Sequence, residues 1–362
     1  MRVARLRVAD FRNIEFADLD FGETRRIFLV GKNGQGKTNF LETLSLLTAL
    51  RSFRTRDTRL LVKSGKKLAQ IFVALDHENE GETELMLALA SGGTKTVETG
   101  TGTQIKRLSE FVGRFPSVVF SSDDIALLRG SPSGRRRWLD LTLSTINADY
   151  FLQLQRYHRA LEARNRLLKM PNSTDAQLEA FEKILAESGC RIVEIRSREM
   201  EKISALFAGF AAKIARIEEE ARLVYSASLS EAEFAAWSDV FRRSRAQDRL
   251  LRSTQKGPHR DDFGFRILGH AAEDFASEGQ QRGMTLSLGL AQLSLFRERL
   301  GVAPVVLADD VLGELDAERK AGFWNTVGED LQIIATGTLL PENAEAWKVF
   351  SVENGVYTMQ TS

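Results

Sequence analysis

Gly31-Lys32-Asn33-Gly34-Gln35-Gly36-Lys37-Thr38 decides how this chain is read. It fits the phosphate-loop pattern G-x-x-x-x-G-K-[ST], and its flanks suit the mechanics of that pattern. Before it, Ile27-Phe28-Leu29-Val30 is a continuous apolar run of the kind that forms a buried strand. After it, Phe40, Leu41, Leu44, Leu47 and Ala49 follow a helical period. A strand that turns through glycines into a helix aims backbone N–H groups and a positive helix end at an anion. The backbone from Gly31 to Gly36 is therefore expected to surround a β-phosphate, with Lys37 bridging β- and γ-phosphates and the Thr38 hydroxyl ligating magnesium.

Such a loop needs a carboxylate on a neighbouring strand. Val305-Val306-Leu307-Ala308 reads as another buried strand, and Asp309 emerges at its carboxyl end, where ligands bind in open α/β sheets. Asp309 is the expected magnesium carboxylate. Asp310 follows at once, placed to orient or deprotonate a water facing the γ-phosphate.

The chain has 362 residues and 43% hydrophobic content, roughly two domains with enough apolar material for a substantial core. Disordered, collagenous and coiled-coil-only classes are excluded. Lys and Arg number 50 against 49 Asp and Glu, so the net charge of +1 gives no global pull toward nucleic acid or membrane. Cys190 is the single cysteine, and with four histidines it offers no disulfide and no zinc cluster. Charges at positions 2, 5, 7 and 10 interrupt any signal-peptide core, and no stretch of 18 uncharged apolar residues occurs. A soluble cytoplasmic protein is the expectation.

Short strands are predicted over 3–8 and 15–21, and a hairpin-like pair over 69–75 and 83–89. The interval from Pro171 to Pro258 holds no proline and should be mostly helix. Within it Phe181, Ile184, Ser188, Ile192, Ile195, Ile203, Leu206, Phe210, Ile214 and Ile217 mark one apolar stripe. About 40 residues of helix span about 60 Å, too short for a long coiled-coil arm. After Pro258 the buried-strand pattern returns at 305–308 and 331–335. Two sequential domains would also fit this pattern, but the phosphate loop and Asp309 lie on opposite sides of the helical stretch. The expected organisation is an α/β mixed-sheet lobe from 1–130 and 257–362, interrupted by a helical insertion over 131–256.

Ser277-Glu278-Gly279-Gln280-Gln281-Arg282 resembles the signature motif of ABC-type ATPases. Longer strings narrow the likeness. They are Asp10-Phe11-Arg12-Asn13-Ile14, the loop extended through Asn39-Phe40-Leu41-Glu42, and Arg51-Ser52-Phe53-Arg54-Thr55. Further along come Gly130-Ser131-Pro132 with Arg135-Arg136-Arg137-Trp138-Leu139-Asp140, Gly257-Pro258-His259-Arg260-Asp261-Asp262, and Asp309-Asp310-Val311-Leu312 with Glu314-Leu315-Asp316. Together they resemble the RecF family, coil-less relatives of the chromosome-structuring ATPases, over roughly residues 1–340.

The resemblance implies an ABC-type ATPase head with a helical insertion and an ATP-dependent homodimer. ATP would lie between Arg12, residues 31–38 and Asn39 of one subunit and Ser277, Gly279, Gln280 and Arg282 of the other. Glu278 brings a negative charge toward that triphosphate, which Arg282 is placed to offset. Glu314-Leu315-Asp316 corresponds to a loop through which subunits sense each other, and Thr336 or Thr338 stands where relatives carry a γ-phosphate sensor. Ser121-Ser122-Asp123-Asp124 occupies the place of a magnesium-binding glutamine loop and contains no glutamine. Most related ATPases carry glutamate where Asp310 stands. A carboxylate displaced by about 1 Å can cost on the order of 100-fold in rate, so slow, timer-like hydrolysis is expected. Binding to duplex and gapped DNA, work beside RecO and RecR, delivery of RecA and a place at the nucleoid are implied by the resemblance alone.

Three basic blocks are hidden by the balanced total: 51–67 has seven Lys/Arg against one acid, 125–170 nine against three, and 242–260 seven against one. Arg51, Arg54, Arg56, Arg135, Arg136 and Arg137 are the candidate DNA contacts. No aromatic residues interleave with them as a base-stacking platform requires, which favours duplex backbone over single strand. The competing class is the ATPase subunit of an ABC transporter, poorly served by an arginine-rich helical insertion. His259, Asp261 and Asp262 also invite a nuclease reading.

Overall fold

The computed structural model of the protein describes every residue except 56, 215–219, 230–233, 314, 342, 361 and 362, and omits the side chains of Leu312 and Ala317. Strands β1 (Arg2–Phe11), β2 (Ile14–Asp20) and β3 (Arg26–Val30) lead through the glycine loop into α1 (Lys37–Ala49). Then come β4 (Leu68–His77), β5 (Gly81–Ala90), β6 (Lys95–Thr99) and β7 (Ser117–Ser121). Helices α2 (Ile125–Arg129), α3 (Pro132–Ile146), α4 (Ala148–Leu168) and α5 (Asp175–Lys213) follow, with β8 (Ala221–Ser226) and α6 (Phe234–Leu251). The last third runs β9 (Asp262–Ile267), β10 (His270–Ala271), α7 (Ala272–Phe275), α8 (Glu278–Leu300), β11 (Val305–Asp309) and α9 (Ala317–Val327). It closes with β12 (Ile333–Gly337), β13 (Lys348–Glu353) and β14 (Val356–Met359).

The chain divides into two compact units, the first made of Met1–Asp124, Lys213–Ala215 and Leu286–Ser362. Its antiparallel sheet has the order β2-β1-β4-β5-β6. A second sheet, β14-β13-β3-β12-β11-β7, is parallel apart from the β13–β14 hairpin. Helix α1 is buried on almost every side. Its Phe40, Leu41, Leu44 and Leu47 share one apolar cluster with Val3, Leu6 and Val8 of the first sheet and Leu307 and Ile334 of the second. This enclosure between two sheets fixes where the first turn of α1 points.

Register does the rest. Gly337 pairs with Val30, Ala308 with Ala335, and Asp309 with Ser121. The carboxyl ends of β3, β12, β11 and β7 therefore meet at the start of α1, the edge at which parallel sheets bind ligands.

The second unit comprises Ile125–Ala212 and Arg216–Thr285. Helices α2 to α6 accompany a small sheet in the order β10-β9-β8. The stretch between Pro171 and Pro258 is mostly helix, as expected, with one strand, β8, set between α5 and α6. That strand pairs with β9 beyond the expected boundary at 256, Leu223 opposite Phe265, and the compact unit accordingly runs on to Thr285. Helix α5 is a single element of 39 residues. Its buried face holds Leu185, Ile192, Ile195, Ile203 and Phe207, whereas Phe181, Ile184, Leu206 and Phe210 are half-exposed. Ile217 lies outside the described residues.

Buried ions explain that shift of face. Arg164 is 0% exposed and donates to Asp248 at 2.8 Å, Thr254 at 2.7 Å and Glu182 at 3.0 Å. Arg196 reaches Asp261 and the Pro258 carbonyl at 2.8 Å, Asp140 at 2.7 Å and the Tyr150 hydroxyl at 2.9 Å. Each guanidinium meets enough acceptors to offset the several kcal/mol cost of leaving water. Glu182 and Arg196 thus hold interior positions on α5 that apolar periodicity assigns to its neighbours. Among the described residues no helix is long and apolar enough to cross a membrane.

Candidate nucleotide site

The glycine loop is built for close approach. A Cβ on Gly31 would stand 2.3 Å from the Val352 carbonyl oxygen, and Gly36 takes φ +114°, a conformation side chains rarely adopt. The loop is braced by the last hairpin: the Tyr357 hydroxyl donates to the Gly36 carbonyl at 2.9 Å, Gly355 N–H to the Gln35 carbonyl at 2.9 Å, and Asn354 N–H to Gln35 Oε1 at 2.6 Å. Burial pushes the Tyr357 hydroxyl above its ordinary pKa, so it remains a donor. Lys32, Asn33 and Gly34 form the exposed crest.

Lys37 is 3% exposed and arches back over the loop, donating to the carbonyls of Gly31 at 2.8 Å and Lys32 at 3.2 Å. Its ammonium lies 4.0 Å from Asp310 Oδ2. Thr38 Oγ1 donates to Asp309 Oδ1 at 2.9 Å, and the same oxygen accepts from Thr336 Oγ1 at 3.0 Å. Thr336 Oγ1 in turn accepts the Asp310 N–H at 3.0 Å, fixing a residue whose φ is +55°. Of the two sensor candidates, Thr336 is buried at this junction and Thr338 is exposed beyond the strand end.

The donor set fits both groups that the sequence calls for. Thr38 Oγ1 and Asp309 Oδ1, 2.9 Å apart, are hard oxygen donors of the kind magnesium takes, with Asp309 placed to hold it through water. Burial raises the Asp309 pKa, opposed by the Thr38 and Thr336 hydroxyls. The first N–H groups of α1 lack intrahelical acceptors, as every helix start does, and together with Lys37 they offer a polyphosphate both donors and charge.

A further carboxylate lies at the same sheet edge, where sequence reasoning found no glutamine. Asp124 accepts the Ser121 N–H at 2.8 Å, and burial beside Asp123 and Asp309 pushes its pKa up to about 7. Two other neighbours were visible in the sequence only as parts of longer strings. Asn13 accepts from Asn39 Nδ2 at 2.7 Å, and Glu42, fully buried on α1, pairs with Arg12 and the Ser52 hydroxyl. Arg12 is therefore anchored to Glu42, with Nη2 to Oε1 at 2.8 Å and φ +50°.

The signature residues belong to the second unit. Ser277 and Gln280 form a capping box at the start of α8: Ser277 N–H donates to Gln280 Oε1 at 2.8 Å and Gln280 N–H to Ser277 Oγ at 3.3 Å. Because Ser277 Oγ accepts here, its own proton remains available to a further acceptor. Ser277 and Glu278 are exposed, Gly279 half-exposed, and Arg282 donates to Glu278 at 3.1 Å, so that acid is already compensated. Asp316 caps α9 by accepting the Arg319 N–H at 2.8 Å, while Glu314 lies outside the described residues.

The expected DNA contacts fare unevenly. Arg51 is exposed. Arg54 donates to Asn39 Oδ1 at 2.8 Å, which places it at the start of α1, and Arg56 lies outside the described residues. Arg135 departs from expectation: it is 8% exposed and gripped by Asp262 through two 2.8 Å bonds, with the Gly130 carbonyl also at 2.8 Å. Arg136 donates to the Asp261 carbonyl at 2.7 Å, and Arg137 is half-exposed. An acid more than 120 residues away in sequence has drawn Arg135 inward. The nuclease reading fails on the same geometry. Asp261 is buried against Arg196, Asp262 holds Arg135, and His259 lies between the Tyr157 hydroxyl at 2.7 Å and the Thr254 carbonyl at 2.9 Å.

No family model matches the chain. It is 35% identical over 357 residues to the DNA replication and repair protein RecF of Thermosynechococcus vestitus, covering 96% of this chain and 93% of the relative. RecF of Exiguobacterium is 33% identical, with 98% of each chain covered. Among solved structures, a recombination mediator RecF with ATP, in the RecFOR pathway, superposes with TM-score 0.90 at 30% identity over 99% of this chain and 98% of that one. An Smc head bound to part of ScpA shares the fold at TM-score 0.54 and 15% identity, over 99% of this chain and 98% of that one. The α/β head of ABC-type and Smc-like ATPases is thus the fold of this chain.

Proposed function

The chain belongs to the RecF family of DNA replication and repair proteins, and from that premise we propose that it is an ATP-operated clamp on duplex DNA at gaps and junctions. The carrying observation is the constellation Thr38, Asp309, Thr336 and Asp310 beside Lys37. Lys37 and the loop N–H groups hold the phosphates, helped by Arg12 and Asn39. Thr38 and Asp309 hold magnesium, which when bound neutralises charge on the phosphate oxygens. Asp310, about a third exposed and fixed through its N–H, accepts a proton from water at the γ-phosphate end. Thr336 positions Asp309 and Asp310 together.

In this reading two copies close on ATP, and the free proton of Ser277 Oγ, with Gly279, Gln280 and the α8 start, serves the nucleotide of the other copy. Hydrolysis is slow and quickened by DNA, so the clamp persists. The relatives' names favour DNA repair over transport, and the RecFOR description of a solved relative supports work with RecO and RecR ahead of RecA. A cytoplasmic, nucleoid-associated protein follows from the same reading. Functionally, residues 1–130 and 257–362 would supply the ATPase lobe and 131–256 the insertion.

Sedimentation with ATP and duplex DNA tests the clamp. Wild type should dimerise, while Lys37→Met and Ser277→Arg should stay monomeric. If all three remain monomers and bind DNA equally, the clamp is wrong.

A further inference from the structure

Glu42 is a carboxylate with 0% exposure and the one acidic residue of α1. A buried ion of this kind costs several kcal/mol unless each oxygen is paired, and an apolar side chain of similar volume would serve packing as well. Its pairing is complete and joins three separate segments. Oε1 accepts from Arg12 Nη2 at 2.8 Å and from the Ser52 hydroxyl, while Oε2 accepts from Arg12 Nε and lies 3.7 Å from Arg54 Nη1.

Ser52 carries the connection onward. It is 2% exposed, and its Oγ accepts the N–H groups of Arg54 at 2.9 Å and Thr55 at 3.0 Å. The turn that opens the basic segment 51–67 is thus folded around a hydroxyl whose own proton goes to Glu42. Arg54 then returns to the nucleotide side through Asn39, which bonds Asn13 in the β1–β2 turn. Two guanidiniums face one carboxylate, so a positive charge is left over next to the helix start.

One carboxylate thus fixes both the start of α1, through Arg12 and the Arg54–Asn39 bond beside it, and the turn that opens segment 51–67, through Ser52, so that ordering either end favours order at the other. We propose that Glu42 is the positioning residue that couples the nucleotide site to the basic segment 51–67, so that nucleotide and duplex DNA strengthen each other's binding. This rests on the proposed function, because it takes DNA as the ligand of that segment. The coupling is reciprocal by linkage, with the same factor read from either side.

The test measures ATPγS affinity with and without duplex DNA, and DNA affinity with and without ATPγS. Wild type should show mutual tightening of about fivefold or more. Ser52→Ala removes the hydroxyl that links Glu42 to the turn and leaves the Arg12 pair in place. It should hold each single affinity within about twofold while the coupling factor falls toward one, and Ser52→Thr should restore it. Glu42→Gln, checked for folding by circular dichroism, should lose the coupling as well. Undiminished coupling in Ser52→Ala overturns the inference, as does a wild type that binds both ligands independently, and in both cases DNA binding itself stands. A wild type that binds no duplex DNA at any salt overturns the proposed function, and this inference with it.

Discussion

Thr38 and Asp309 are 271 positions apart in the chain and 2.9 Å apart in the fold. That closeness joins the helix after the first parallel strand to the end of the strand two places along the sheet. Thr38→Val removes one of the two oxygens while preserving shape. Titration calorimetry should show magnesium-dependent ATP affinity falling roughly tenfold or more, with affinity in EDTA little changed. Equal losses with and without magnesium would mean that Thr38 serves the phosphates rather than the metal.

Thr336→Val cuts both the bond to Asp309 and the acceptor of the Asp310 N–H. A misplaced carboxylate should lower ATP turnover by about 10- to 100-fold with nucleotide affinity nearly unchanged. Thr338→Val, beyond the strand, should leave turnover within about twofold of wild type. Reversed effects would reassign the sensor to Thr338.

His259 supplies a pH prediction. The Thr254 carbonyl can only accept, so His259 Nε2 carries the proton and Nδ1 accepts from Tyr157. Burial pushes its pKa from 6.5 down to about 4. The unfolded chain therefore takes up a proton between pH 6.5 and 4 that the folded chain refuses. The contribution is full above pH 6.5 and disappears as pH falls toward 4, amounting to about 3 kcal/mol. Urea unfolding at pH 7 and pH 5 should show about 2 kcal/mol of this loss in wild type and much less of it in His259→Asn, which would otherwise be less stable at both.

Salt dependence separates surface charge from interior charge. Arg51 and Lys67 are exposed, and replacing either with alanine should reduce the slope of log affinity for duplex DNA against log salt by about 1. Arg135→Ala should leave that slope intact and lower the unfolding midpoint instead, since it strands Asp262. A reduced slope in Arg135→Ala, with unchanged stability, would return that residue to the DNA surface.

The candidate nucleotide edge of the first unit was legible in the sequence because its signals are local. An apolar run before Gly31, a helical period after Lys37 and an apolar run ending in Asp309 each occupy one short window, and register alone brings them together. Arginine placement was not legible. Arg164 meets Asp248 across 84 residues, and Arg196 meets Asp261 across 65, so composition counts them as surface charge until the fold supplies their acids. Thr336 and Thr338 share a strand parity, and only the end of β12 at Gly337 distinguishes them. Tyr357 carries no motif at all, and its role appears only when β14 is seen beside the loop.

That hairpin has a consequence for synthesis. Gln35 and Gly36 are translated early, yet their supports at Asn354 and Tyr357 come 319 and 321 residues later. A nascent chain whose residues 354–357 are still inside the ribosome exit tunnel holds the anion cradle unbuttressed, so full grip on a nucleotide waits until that hairpin has emerged. Chains halted at Trp347 should show this directly as weakened retention of a fluorescent ATP analogue.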